Sequence, residues 1–150
     1  MKKVEDFMAK DLPEIKENSP LKEIFEAFAS SHHNILPVVN SVGKIVGVIS
    51  LKEILNELLF SRAEVSILEK VPFFADFLTE QIEEMDYMLP LVLAKDVMKT
   101  DIFIVKEDDS MLKAALMMKK KGVQRLIVVN NDDVPVGYVS RNEVCRAFLI

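Results

Sequence analysis

The sequence predicts an α+β protein made of two tandem βαββα units and a helical connector, and three observations carry that prediction. Val4 to Ile54 can be laid over Ala94 to Val144 without a gap. Identities then fall at Asp6/Asp96, Met8/Met98, Asp11/Asp101, Lys16/Lys106, Glu17/Glu107, Leu36/Leu126, Val38/Val128, Val39/Val129, Asn40/Asn130, Val46/Val136, Gly47/Gly137, Ser50/Ser140 and Glu53/Glu143. A gapless internal repeat marks one supersecondary unit used twice. Each copy also contains the same phrase, Val46-Gly47-Val48-Ile49-Ser50-Leu51-Lys52-Glu53 in the first and Val136-Gly137-Tyr138-Val139-Ser140-Arg141-Asn142-Glu143 in the second. Finally, inside each copy helical apolar spacing gives way to short β-branched runs. The copies span residues 1–55 and 94–150, with the connector over 56–93.

In the first copy Ile15 and its neighbours form a short extended segment. Ser19-Pro20 reads as an N-cap followed by proline at the first helical position, which opens a helix to about Ser31. Leu21, Ile24, Phe25 and Phe28 keep the i, i+3, i+4, i+7 spacing of one buried face. Ile35 to Val39 is a strand, Asn40-Ser41-Val42-Gly43 a turn, and Lys44 to Ile49 the returning strand of a hairpin. Ser50, with Glu53 three residues on, is a capping box, in which the serine and glutamate satisfy orphan amides at the start of the next helix.

The second copy repeats the order. Ile102 to Val105 is extended, and a helix runs from about Ser110 to Lys121 with Met111, Ala114, Ala115 and Met118 inward. Leu126 to Val129 is a strand, Asn131-Asp132-Asp133 a turn, and Val134 to Val139 the return. Pro135, without an amide hydrogen, suits an edge or strand-entry position. Ser140 and Glu143 repeat the capping box before a helix that reaches Ala147. Between the copies, Phe74, Phe77, Leu78, Ile82, Met85 and Leu89 follow helical spacing, with acids on the other faces and breaks near Pro72 and Pro90. This connector packs on its own module, on a second copy, or on a separate protein partner.

Composition narrows the functional classes. The 150 residues carry a net charge of −5, and no basic run exceeds Lys119-Lys120-Lys121, so a surface tracking nucleic-acid phosphates is not expected. No apolar run approaches the ~18 residues of a membrane-spanning helix. Cys145 is the only cysteine, which excludes an intrachain disulfide and, with no secretory signal at the N-terminus, places the expectation in the cytoplasm. Gly-rich phosphate loops, nucleophile elbows and paired metal ligands do not occur, so catalysis is not expected.

The tandem βαββα order, Leu36-Pro37-Val38-Val39 and the doubled Val-Gly phrase together resemble a CBS-domain pair, the Bateman module. The resemblance covers nearly all of the chain outside the connector. It implies two units packed about a pseudo-twofold axis, with two clefts that bind AMP, ADP, ATP or S-adenosylmethionine. It further implies a homodimer that regulates a separate protein, with no cofactor required. The competing expectation is a ligand-free interaction or oligomerisation module that uses the Phe/Met-rich connector.

The resemblance also selects ligand-binding candidates. Ser50 and Ser140 stand at helix N-termini, where a hydroxyl can cap the helix or face a phosphate. Glu53 and Glu143 occupy a place where family members hold ribose with aspartate; as glutamates they read first as caps. Arg125 matches a phosphate-binding arginine, whereas the first copy has Ile35 there, so unequal sites are expected. A guanidinium offers phosphate a bidentate fork. Arg125 is expected to serve a pocket whose other wall is Asp11, Leu12, Ser50 and Glu53. Asp11, Leu12, Thr100, Asp101 and Ile102 match the strand entries where backbone groups hold adenine. His32 and His33 read as capping or solvated residues at a helix end, and Cys145 as a packed side chain. A metal or redox sensor built on these three residues is the remaining alternative.

Overall fold

The computed structural model describes residues 1–56 and 91–149. The connector helix expected over 56–93, with its breaks at Pro72 and Pro90, lies outside the described residues apart from its ends. The first copy contributes α1 (Val4–Phe7), β1 (Ile15–Lys16), α2 (Leu21–Ala29), β2 (Ile35–Val39), β3 (Ile45–Ser50) and α3 (Leu51–Leu55). The second contributes α4 (Ala94–Val97), β4 (Ile104–Lys106), α5 (Met111–Lys121), β5 (Arg125–Val129), β6 (Pro135–Ser140) and α6 (Arg141–Leu149). The α+β architecture follows the sequence.

Each copy forms a three-stranded sheet, ordered β1-β2-β3 or β4-β5-β6. The first pair in each sheet is parallel, joined across a helix, and the second is an antiparallel hairpin. Both hairpins turn by the same chemistry. Asn40 Oδ1 accepts from the amides of Val42 and Lys44, each at 3.0 Å, and Asn130 Oδ1 from those of Asp132 and Val134 at 2.9 and 3.1 Å. An asparagine carbonyl thereby stands in for a backbone acceptor.

Helical faces agree with the apolar spacing. Leu21, Ile24 and Phe28 of α2 are buried, as are Met111, Ala114 and Met118 of α5. The start of α2 differs by one residue. Pro20 itself is the N-cap, and Ser19 Oγ accepts the amide of Lys16 at 3.2 Å in the preceding turn. The 90-residue offset explains this, since Pro20 corresponds to Ser110, the residue that caps α5 by accepting from the amide of Lys113 at 3.1 Å.

The two cores exchange their first helices. Val4 of α1 is buried with Val105, Met111, Leu126, Val128 and Val139 of the second copy, and Ala94 of α4 with Ile15, Leu21, Ile24, Leu36 and Ile49 of the first. The exchange is stitched by paired backbone bonds. The amide of Val4 donates to the carbonyl of Asp109 and that of Ala94 to Ser19, both at 2.8 Å. Isolated bridges join Lys3 to Ser110 and Leu93 to Pro20, and likewise Ala9 to Tyr138 and Lys99 to Val48. Each bridge becomes its mate when 90 is added to one residue and subtracted from the other. That reciprocity is the signature of a twofold axis.

The glycine of the doubled phrase is a consequence of this exchange. A Cβ on Gly47 would lie 2.8 Å from the carbonyl oxygen of Lys99 and 2.7 Å from Met98 Sδ, and one on Gly137 would lie closer still to the carbonyl oxygen of Ala9. The crossing segment needs a strand position with no side chain.

Candidate functional site

One repeat of the phrase forms its capping box and the other does not. At the start of α6, Glu143 Oε1 accepts from both the amide and the hydroxyl of Ser140 at 2.9 Å, and Ser140 Oγ accepts the amide of Asn142 at 3.3 Å. Glu143 is buried with this task. At the start of α3, by contrast, Ser50 makes no side-chain cap bond. Glu53 pairs instead with Lys99 Nζ at 2.6 Å, which corrects its assignment as a cap. The cause lies in the exchanged segments. Lys99 crosses beside Val48 and brings an ammonium to Glu53, whereas its counterpart Ala9 brings nothing charged to Glu143.

Ser50 therefore keeps its hydroxyl at the edge of a cavity of about 430 Å³ between the two copies. Asn34, Ile35, Val48, Ser50 and Lys52 form one wall, and Asp101, Phe103, Gly122, Val123, Gln124, Arg125 and Ile127 the other. Volumes of roughly 300–1,000 Å³ hold small organic ligands. Arg125, at the start of β5, is half-buried, and its guanidinium carbon stands 5.8 Å from the ring centre of Tyr138. At that distance the cation is drawn to the ring face. The cavity thus offers Arg125 and Lys52 as cations, Asp101 as an acid, the Ser50 hydroxyl and an apolar floor that includes Phe103 and Val48.

Three of the residues selected from sequence meet here: Arg125, Ser50 and Asp101. Asp11, Leu12, Thr100, Ile102, Glu53, Ser140 and Glu143 do not line this cavity. Asp11 is exposed at its side chain, Leu12 packs on the first core, Thr100 is exposed and Ile102 half-buried. Arg125 accordingly faces Ser50 and Asp101, and not the Asp11, Leu12 and Glu53 wall. Lys52, Phe103, Asn34 and Gln124 were not singled out from sequence. The signal for Lys52 was its place two residues after Ser50 in the phrase, and for Phe103 its place two residues after Asp101.

The histidines separate. His32 is exposed, but His33 is buried, with Nε2 2.5 Å from the carbonyl oxygen of Asp11. The expectation that both cap or solvate a helix end is corrected for His33, because serines already serve that end. The amide of Ser30 donates to the carbonyl of Glu26, and Ser31 Oγ donates to that of Ala27 at 2.8 Å. Cys145 is likewise corrected from packed to exposed. Helix α6 turns Glu143 and Ala147 inward, four residues apart, and Cys145 midway between them faces out. Among the described residues no group of three or more His, Cys, Asp and Glu side chains is arranged to hold a metal ion. Within the same residues no helix is long and apolar enough to cross a membrane.

A twofold pair of βαββα units with exchanged first helices and a cavity at their seam defines a two-repeat module. The CBS domain model matches residues 4–60 and 94–150, and the chain belongs to the CBS-domain family. No curated protein sequence matches it. Among solved structures it is similar to a CBS domain-containing protein of unknown function from Bacillus anthracis, with a TM-score of 0.73 and 22% identity over 98% of this chain and 92% of that one. It is also similar to the CBS-pair protein CBSX2 from Arabidopsis thaliana, with a TM-score of 0.72 and 21% identity over 99% and 94%. A third is the CBS domain pair of a protein designated MJ0100, solved with 5′-methylthioadenosine and S-adenosyl-L-methionine, with a TM-score of 0.66 and 18% identity over 99% and 96%. CBSX2 has also been solved in complex with AMP, with a TM-score of 0.69 and 21% identity. At these identities the likeness speaks to the fold.

Proposed function

We propose that this chain is a regulatory, non-catalytic CBS-domain pair that binds an adenine nucleotide in the cavity between its copies and passes occupancy to a partner protein. The observation that carries this reading is the convergence of Arg125, Lys52 and Ser50 on one cavity of ligand size. Two cations against the single carboxylate of Asp101 favour an anion, so AMP, ADP and ATP rank above S-adenosylmethionine. The adenosyl ligands named for CBSX2 and MJ0100 agree with the ligand class. Binding regulates only if the ligand prefers one arrangement of the module over another.

Calorimetric titration with AMP, ADP, ATP and S-adenosylmethionine tests the reading. Arg125→Ala removes the bidentate cation and is expected to weaken the preferred nucleotide at least about tenfold, the equivalent of ~1.4 kcal/mol. Silence from all four ligands would sink the nucleotide reading.

Self-association is the second part of the proposal. Leu112 and Leu116 stand one turn apart on α5 at 62% and 57% exposure, and Phe148 near the end of α6 is 70% exposed. A second copy of the chain covers this apolar face in our reading. Replacing Leu112 and Leu116 by lysine should lower the sedimenting mass from dimer to monomer; an unchanged mass moves the interface elsewhere. Replacing Phe74 and Phe77 by serine then asks whether assembly runs through the connector.

A further inference from the structure

The twofold relation carries the wall of the cavity to the opposite end of the seam. Asp101, Val123 and Val48 line the cavity, and the residues 90 positions away are Asp11, His33 and Tyr138. His33 touches both of the others. His33 Nε2 meets the Asp11 carbonyl, and the imidazole stands edge-on to the Tyr138 ring, with centroids 4.8 Å apart and planes at 82°. A carbonyl only accepts, so Nε2 carries a proton, and in the neutral ring Nδ1 is then the acceptor. Nδ1 is buried and has no hydrogen-bond partner among the described residues, and the residue as a whole is 9% exposed.

We infer that His33 is a built-in occupant of the second cleft, so that the chain carries one nucleotide site and not two. The ligand class rests on the function proposed above; the occupancy of the cleft rests on the geometry of His33. In the open cavity the counterpart of His33 is Val123, a hydrocarbon that cannot bond the backbone at Asp101. In the second cleft the His33 ring already stands against that backbone acceptor and bonds it. Pro13 is smaller than its counterpart Phe103, yet this leaves the bond at Asp11 in place.

Charge and hydroxyl point the same way. Lys52 of the open cavity corresponds to Asn142, whereas Ile35 of the same wall corresponds to Arg125, so the second cleft shares Arg125 and lacks only the counterpart of Lys52. The hydroxyl of Ser140 is spent on Glu143, whereas that of Ser50 is not used as a cap. Arg125, lying over Tyr138 while lining the open cavity, is the one of these cations near both ends of the seam.

The test is the stoichiometry of AMP binding to the full chain. The wild type should take up one AMP per chain, and His33→Val should take up two, the second about tenfold more weakly for want of a counterpart to Lys52. Two equivalents in the wild type, or one in a folded His33→Val variant, would overturn the inference. Absence of any AMP binding would instead strike the proposed ligand class, and the inference is then decided without ligand. Long-range proton–nitrogen spectra should find His33 as the Nε2-protonated tautomer, with ring exchange slower than that of exposed His32 by about 100-fold or more. A His33 ring exchanging as fast as that of His32 would overturn the plug, also where the variant does not fold.

Discussion

The two helix-start junctions are the most instructive pair of regions in the molecule. Both are written Val-Gly-x-x-Ser-x-x-Glu, and both follow a strand crossed by a segment from the other copy. Yet Glu143 turns back to cap its own helix, while Glu53 reaches out to Lys99. The shared pattern has taken two bonding arrangements because the crossing segments differ at the residue bridged to the strand, Lys99 against Ala9. Side-chain chemistry at a junction is thus set by what the tertiary fold brings to it.

What the junctions share is their glycine, and it should be the most costly residue to change. Gly137→Ala sets a methyl against the rigid carbonyl of Ala9, and Gly47→Ala sets one against the carbonyl of Lys99 and the yielding side chain of Met98. Overpacking of this kind costs about 1–3 kcal/mol, and Gly137→Ala is expected near the top of that range with Gly47→Ala below it. Urea denaturation measures both. Negligible losses would mean that the crossing segments separate readily from the strands, and equal losses that the carbonyl of Ala9 yields as easily as Met98.

The glutamates come next. Glu143→Ala leaves the buried amide and hydroxyl of Ser140 without their acceptor and should cost about 1–2 kcal/mol, with little dependence on salt. Glu53→Ala breaks an ion pair whose side chains are 40% and 56% exposed. Such a pair contributes about 0–1 kcal/mol, and the loss should fade at ~1 M salt. If Glu53→Ala costs as much as Glu143→Ala, the junctions are energetically alike despite their bonding. Glu143→Gln sharpens the contrast, since the amide oxygen retains an acceptor and should recover most of the loss.

How far the sequence could be read follows from the same contrast. The strands, the two long helices and their buried faces were legible because periodicity and turn chemistry are local: Leu21, Ile24 and Phe28 sit where their spacing puts them. Arg125, Ser50 and Asp101 were legible because charged and hydroxyl groups at strand and helix ends are few. The exchange of α1 and α4 was not. Val4 and Ala94 are small apolar residues that either core could bury, and a repeat does not say against which copy a segment packs. The Glu53–Lys99 pair and the His33–Asp11 bond depend on that packing and were hidden with it. The missed cap at Pro20 is different in kind, because its alignment with Ser110 already stood in the repeat.

The smallest expected difference lies at the hairpin turns, where Gly43 has φ +87° and its counterpart Asp133 has φ +62°. A left-handed backbone costs an L-residue about 1–2 kcal/mol, less for aspartate, while glycine gives back ~0.4–1 kcal/mol through a freer unfolded chain. Asp133→Gly should therefore stabilise the protein by less than about 1 kcal/mol, and Gly43→Asp should cost a similar amount. Asp133 has a further role, since its carbonyl accepts the amide of Ile45 at 2.9 Å, joining the two hairpins across the axis. The reciprocal bond would need an amide hydrogen on residue 135, which is proline. Glycine keeps the carbonyl, so the bond survives in Asp133→Gly and only the backbone strain is read. A loss of stability in that variant would show that the aspartate side chain, and not the turn conformation, holds the second hairpin against the first.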